Sequence, residues 1–175
     1  MKELWDALKA LEKKLRHLEQ NEGAGGVVVQ TAHYQRSDAP TTPTVLPFDD
    51  TIPQNTEGGE FLTVAITPKN ANNKLLVEVL AFGEVSVAAW VTTALFKDSV
   101  AGALAATSSY QGIATGGALC VLRYEMSAGG ISVITFKARI GMQTAGTFAL
   151  NALSAGTRVF GGVAASSIRV TEYAG

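Results

Sequence analysis

Few residues in this chain have the type and spacing to do chemistry. There are two histidines, one cysteine and fifteen acidic residues. His17 falls within a helical pattern on its polar side, and His33 ends an apolar run. Neither has a Cys or a second His at the spacing of a metal site. Asp49 and Asp50 are adjacent, which raises a calcium loop, but the alternating Asp/Asn pattern of such a loop is missing and a turn or cap role fits better. Ser108-Ser109-Tyr110 has no base nearby to activate a hydroxyl. Gly116-Gly117 and Gly161-Gly162 open no helix and lack the Lys-Ser/Thr of a phosphate loop. Glycan hydrolysis needs two carboxylates a few ångströms apart, and Glu78, Glu84, Asp98, Glu125 and Glu172 are scattered along strand-like segments. The residues therefore predict no enzyme, no metal and no cofactor. Trp90 and Tyr110 could stack on a sugar ring, although a core role suits Trp90 better.

The elements that would position these side chains fall into two unlike parts. Over residues 3–22, Leu4, Leu8, Leu11, Leu15 and Leu18 recur at four, three, four and three. That 3.5-residue period is a coiled-coil seam. The rest of the segment is rich in Lys, Glu, Ala, Arg and Gln, which are good helix formers. With Leu8 and Leu15 at a, Lys14 falls at g and Glu19 at the next e. That pairing favours parallel chains, while strand number stays open. The alternative is one amphipathic helix lying on the domain. The predicted organisation is a coiled-coil helix over 1–22, a Gly-rich hinge over 23–26 and a β-sandwich of jelly-roll type over 27–175.

Beyond the hinge the period changes to two. Predicted strands cover Val27–Tyr34, Phe61–Ile66, Lys74–Val85, Val87–Lys97, Leu119–Met126, Ile131–Ile140, Phe148–Leu153 and Ser166–Tyr173. Residues 37–59 hold four of the five prolines and read as extended loop. The segment Val87–Lys97 is apolar on both faces, with Ala89, Val91 and Leu95 opposite Trp90, Ala94 and Phe96. A sandwich strand normally faces water once, so this pattern predicts cover from a neighbouring subunit or from the chain's own loops. Two stretches, 99–122 and 140–157, carry no Asp, Glu, Lys or Arg. They read as subunit packing or as hydroxyl-rich tip loops, and Tyr110, Gln111 and Asn151 within them are the candidate receptor contacts.

Composition limits the partners. Hydrophobic residues make up 47% and charged residues 17%, against a typical charged share of roughly a quarter. A net charge of −1 offers no nucleic-acid footprint, and no run reaches the ~20 apolar residues of a membrane span. The charged, helical N-terminus does not read as a signal peptide. Cys120 lies in an apolar run and reads as a small buried hydrophobe.

The run from Pro47 to Phe61 (PFDDTIPQNTEGGEF), then Leu62–Lys69, Lys74–Val79 and the closing Ser167–Tyr173, resembles the C-terminal domains of bacteriophage tail-fibre and tail-needle proteins. That resemblance implies a homotrimeric jelly-roll knob, similar to tumour-necrosis-factor-like trimers, on a coiled-coil stalk. It implies a virion component made in the host cytoplasm that binds a host cell-surface glycan or protein, or other virion proteins. No functional residue follows from it.

Overall fold

The computed structural model describes residues 2–21, 26–153 and 156–175. A 20-residue helix, α1 (Lys2–Asn21), comes first. Leu4, Leu8 and Leu11 are exposed along it, an apolar seam without cover inside one chain. The side chains of Leu15 and Leu18, and most of the expected hinge, lie outside the described residues.

Among the described residues twelve strands follow: β1 (Val28–Arg36), β2 (Thr41–Thr42), β3 (Gly59–Ile66), β4 (Lys74–Val85), β5 (Ala89–Lys97), β6 (Ala105–Gln111), β7 (Gly117–Ser127), β8 (Ile134–Met142), β9 (Phe148–Leu150), β10 (Ala152–Leu153), β11 (Thr157–Arg158) and β12 (Ser166–Tyr173). The first sheet runs β1-β12-β4, with β7 along most of β4 and β9 beside its last residues. The second runs β3-β8-β5-β6. Counting only the eight long strands, the orders are first-eighth-third-sixth and second-seventh-fourth-fifth, the double Greek key of a jelly roll. All the pairings are antiparallel.

Alternation builds the core between the sheets. In β8, Ile134, Phe136, Ala138 and Ile140 point inward, and Thr135, Lys137 and Arg139 point outward. They meet Leu75, Val77 and Val79 of β4 and Ile168 and Val170 of β12 in one buried cluster. On the edge away from β7, β4 changes partner from β12 to β9 near Gly83, where a Cβ would sit 2.3 Å from Phe148 and 2.5 Å from the Ala149 carbonyl. Only glycine fits that crossing.

β5 answers the question its sequence raised. Its inner face, with Ala89, Val91 and Leu95, joins the main core. Its outer face is closed by the proline-rich loop 43–58, whose Leu46 packs with Ala94 and Phe96 in a second buried cluster. The cover is the chain's own loop, so the doubly apolar pattern is no evidence for a neighbouring subunit. The loop is fixed along its length. Leu46 N donates to the Met142 carbonyl (2.9 Å), Ala103 N donates to the Pro53 carbonyl (2.9 Å), and the Arg139 guanidinium donates to the Glu57 and Gly58 carbonyls (2.7 Å each).

Candidate functional site: an aromatic cleft on the outer face of the second sheet

Where the loop crosses the end of β5 it brings Phe48 onto Trp90. The rings stack at 4.3 Å between centroids and 10° between planes. Trp90 pairs across the sheet with Tyr110 of β6, and those rings sit 5.3 Å apart at 49°. Alternation forces the arrangement: Trp90, Thr92 and Ala94 share the outer face of β5, and Thr92 lies opposite Ser108. Phe48 and Tyr110 are exposed (51% and 56%), and Trp90 is half-buried. A run of three aromatic rings with two of them exposed is uncommon on a sheet's outer face, since such rings normally enter the core.

Beside this platform is an open cleft of about 420 Å³ lined by Phe48, Asp49, Thr51, Trp90, Thr92 and Ser108, among others. Its polar groups are held in place. The Thr92 and Ser108 hydroxyls share a hydrogen bond of 2.7 Å. Thr51 donates to Asp49 Oδ1 from its hydroxyl (2.5 Å) and its backbone N–H (2.9 Å). Those two donors hold the Asp49 carboxyl below the usual carboxylate range. The aspartate belongs to a turn, as its sequence context suggested, and among the described residues no three His, Cys, Asp or Glu converge on a metal position. Asp49 is the one acidic residue among those lining the cleft.

Of the sequence-predicted contacts, Tyr110 stands at this platform. Gln111 is half-buried at the end of β6, opposite Ala89. Asn151 lies elsewhere: it is 1% exposed, and its amide donates to the Arg36 and Asp38 carbonyls (3.0 Å each) while accepting from the Ser166 hydroxyl (2.7 Å). It links the loop after β1 to the start of β12. Phe48 was missed, because a lone aromatic in a proline-rich loop carries no periodic signal. Recognising β6 as the partner of β5 would have exposed the Trp90–Tyr110 pair.

Residues 46–174 match the Pgp3 C-terminal domain family, and the chain belongs to that family. This corrects the resemblance to phage tail-fibre knobs. The family is a domain of a secreted Chlamydia virulence protein, so the placement in a virion falls with the resemblance. The segments that carried it are loop and strand pattern with no chemical signature, and such a pattern does not separate families that share a sandwich. No curated protein matches the chain. Solved structures similar to it include the C-terminal domain of EclA, a sugar-binding protein (16% identity, 66% of this chain and 75% of that chain, TM-score 0.39). Another is latent PorU from Porphyromonas gingivalis (11% identity, 86% of this chain and 13% of that chain, TM-score 0.40). A third is the CBM36-1 domain of a xylanase from the hindgut metagenome of Trinervitermes trinervoides (9% identity, 81% and 96%, TM-score 0.35).

Proposed function

We propose that this chain is a non-enzymatic binding domain that takes a glycan in the cleft lined by Phe48 and Trp90, with Tyr110 at its side, and works as a homotrimer. The observation that carries the binding reading is the three-ring platform, exposed at Phe48 and Tyr110, beside fixed hydroxyls. A sugar ring presents apolar C–H faces and polar edges. The indole and phenyl faces suit the first, and Thr92, Ser108 and the Asp49 carboxylate suit the second. Pockets of this kind combine an aromatic lining with a few placed polar groups. Asp49 supplies one carboxylate where hydrolysis requires two, which favours binding over cleavage.

The assembly reading has its own support. On the outer face of the first sheet, Leu80 pairs across strands with Val121 and Phe82 pairs with Leu119. Leu80, Leu119 and Val121 are 51%, 59% and 53% exposed. A solvent-facing sheet normally turns polar residues outward, and an apolar patch left open marks an interaction surface. With the exposed leucines of α1, it gives the chain two surfaces for its own copies.

A glycan array probed with the purified chain and with Trp90→Ala tests the binding reading. The expected result is binding to a restricted set of glycans, weakened at least tenfold in the variant, as befits a central aromatic contact worth more than about 1.4 kcal/mol. Failure to bind any glycan, or equal binding by Trp90→Ala, would overturn it.

A further inference from the structure

On the other side of β6 lies a separate cavity. The two sheets meet there at their edge strands, β6 and β7, which face each other without pairing. Between them is a space of about 200 Å³ lined by Val91, Thr93, Thr107, Ser109, Cys120 and Val121, among others. Two of the lining hydroxyls, Thr93 Oγ1 and Ser109 Oγ, are buried; Ser109 Oγ has no hydrogen-bond partner, and Thr93 Oγ1 has only the weak one offered by the Cys120 thiol. Thr93 is only 1% exposed. Most buried polar atoms in native proteins find a partner, and leaving one unsatisfied costs about 1–3 kcal/mol. Two such atoms facing one cavity mark a place where something else completes the bonding.

The lining defines that occupant. No Asp, Glu, Lys, Arg or His contributes to it, so an ion would be desolvated there without compensation. Burial pushes the Cys120 thiol up to about 11, so at neutral pH it too is uncharged. Val91 and Cys120 give apolar wall, and the two hydroxyls can each donate and accept. The space greatly exceeds the roughly 30 Å³ that one water occupies in the liquid. We propose that this cavity is a second ligand site, for a small neutral molecule that carries hydroxyl groups on a short carbon chain. It lies across β5 from the aromatic cleft and shares Thr107 and Ser108 of β6 with it.

The test uses 1,2-propanediol as probe, titrated into the full chain with methyl-resolved NMR. Saturable shifts confined to the Val91 and Thr93 methyls are expected, unchanged in Trp90→Ala and weakened at least tenfold in Thr93→Val. The diol should also slow alkylation of Cys120 by iodoacetamide. Should Thr93→Val not fold, Ser109→Ala carries the same comparison. The proposal is overturned if no saturable shift appears at these methyls. It is also overturned if the hydroxyls bind ordered water alone in a diol-soaked crystal, or if Thr93→Val raises stability and leaves diol affinity unchanged.

Discussion

The two outer faces of this sandwich have been treated in opposite ways. The second sheet is closed by loop 43–58, which buries Leu46 against Ala94 and Phe96 and sets Phe48 on Trp90. Among the described residues the first sheet has no such cover, and Leu80, Leu119 and Val121 stand open on it. Strand pattern alone would have assigned them the other way round, because β5 is the strand that is apolar on both sides. An apolar face does not say what covers it. A loop of the same chain does so at the entropic cost of ordering a few residues, and a second copy does so at the cost of association. On this reading the loop-covered face is left to recognise a ligand, and the uncovered one is left to recognise the chain itself.

The comparison breaks most severely if the loop does not hold the second sheet. Leu46→Ala empties a fully buried position and should cost about 2–5 kcal/mol. Urea unfolding would show the loss, and glycan binding should fall with it, since Phe48 sits two residues away. A loss under about 1 kcal/mol, at the mild end of the range for point mutants, would mean the loop is not what closes that face.

The first sheet is secured from within instead. Glu172 is fully buried on β12 and accepts from the Gln30 side chain (2.5 Å), the Asn73 side chain (2.6 Å) and the backbone N–H groups of Lys69 (2.8 Å) and Asn70 (3.4 Å). Burial acts to raise its pKa, but these donors outweigh it and the carboxyl is held below its ordinary value. A lowered folded-state pKa gives stability that is present above the ordinary carboxylate value of about 4.3 and lost as pH falls through the folded value. Glu172→Gln should therefore cost about 1–3 kcal/mol at pH 7 and flatten the acid side of the stability profile. Thermal melts from pH 7 to pH 2 check both. An unchanged acid limb in the variant would show that the clamp does not depend on charge.

The smallest effect belongs to the helix. Changing Leu11 and Leu15 together to Gln should leave the unfolding of the β-domain within about 0.5 kcal/mol, as for surface positions generally. It should weaken the oligomer without abolishing it. Clean monomer by light scattering would instead place the whole interface in α1.

How much of this was legible in the sequence follows from where the periodic signal is strong. β4 and β12 have the bounds that alternation predicted, and β8 falls within two to three residues of the strand predicted over Ile131–Ile140. β6 was overlooked because Ala105–Gln111 is small and hydroxylated, and an edge strand need not alternate sharply. Asn151 looked like a tip residue because its neighbourhood lacks charge, yet its amide satisfies backbone carbonyls that no sequence pattern announces. The aromatic site was half visible. Trp90 and Tyr110 were named, but Phe48 reaches them only through a loop path set by long-range hydrogen bonds. The family was misread for the same reason, since its matching segments carry shape and no reacting group.

The most direct test of the division between the two faces is the solution mass of the intact chain and of its Leu80→Glu/Val121→Glu variant, by sedimentation equilibrium. The account predicts three times 18.3 kDa for the intact chain and 18.3 kDa for the variant, with an unchanged far-ultraviolet spectrum. A monomeric parent, or a variant that keeps the parent's mass, would contradict it.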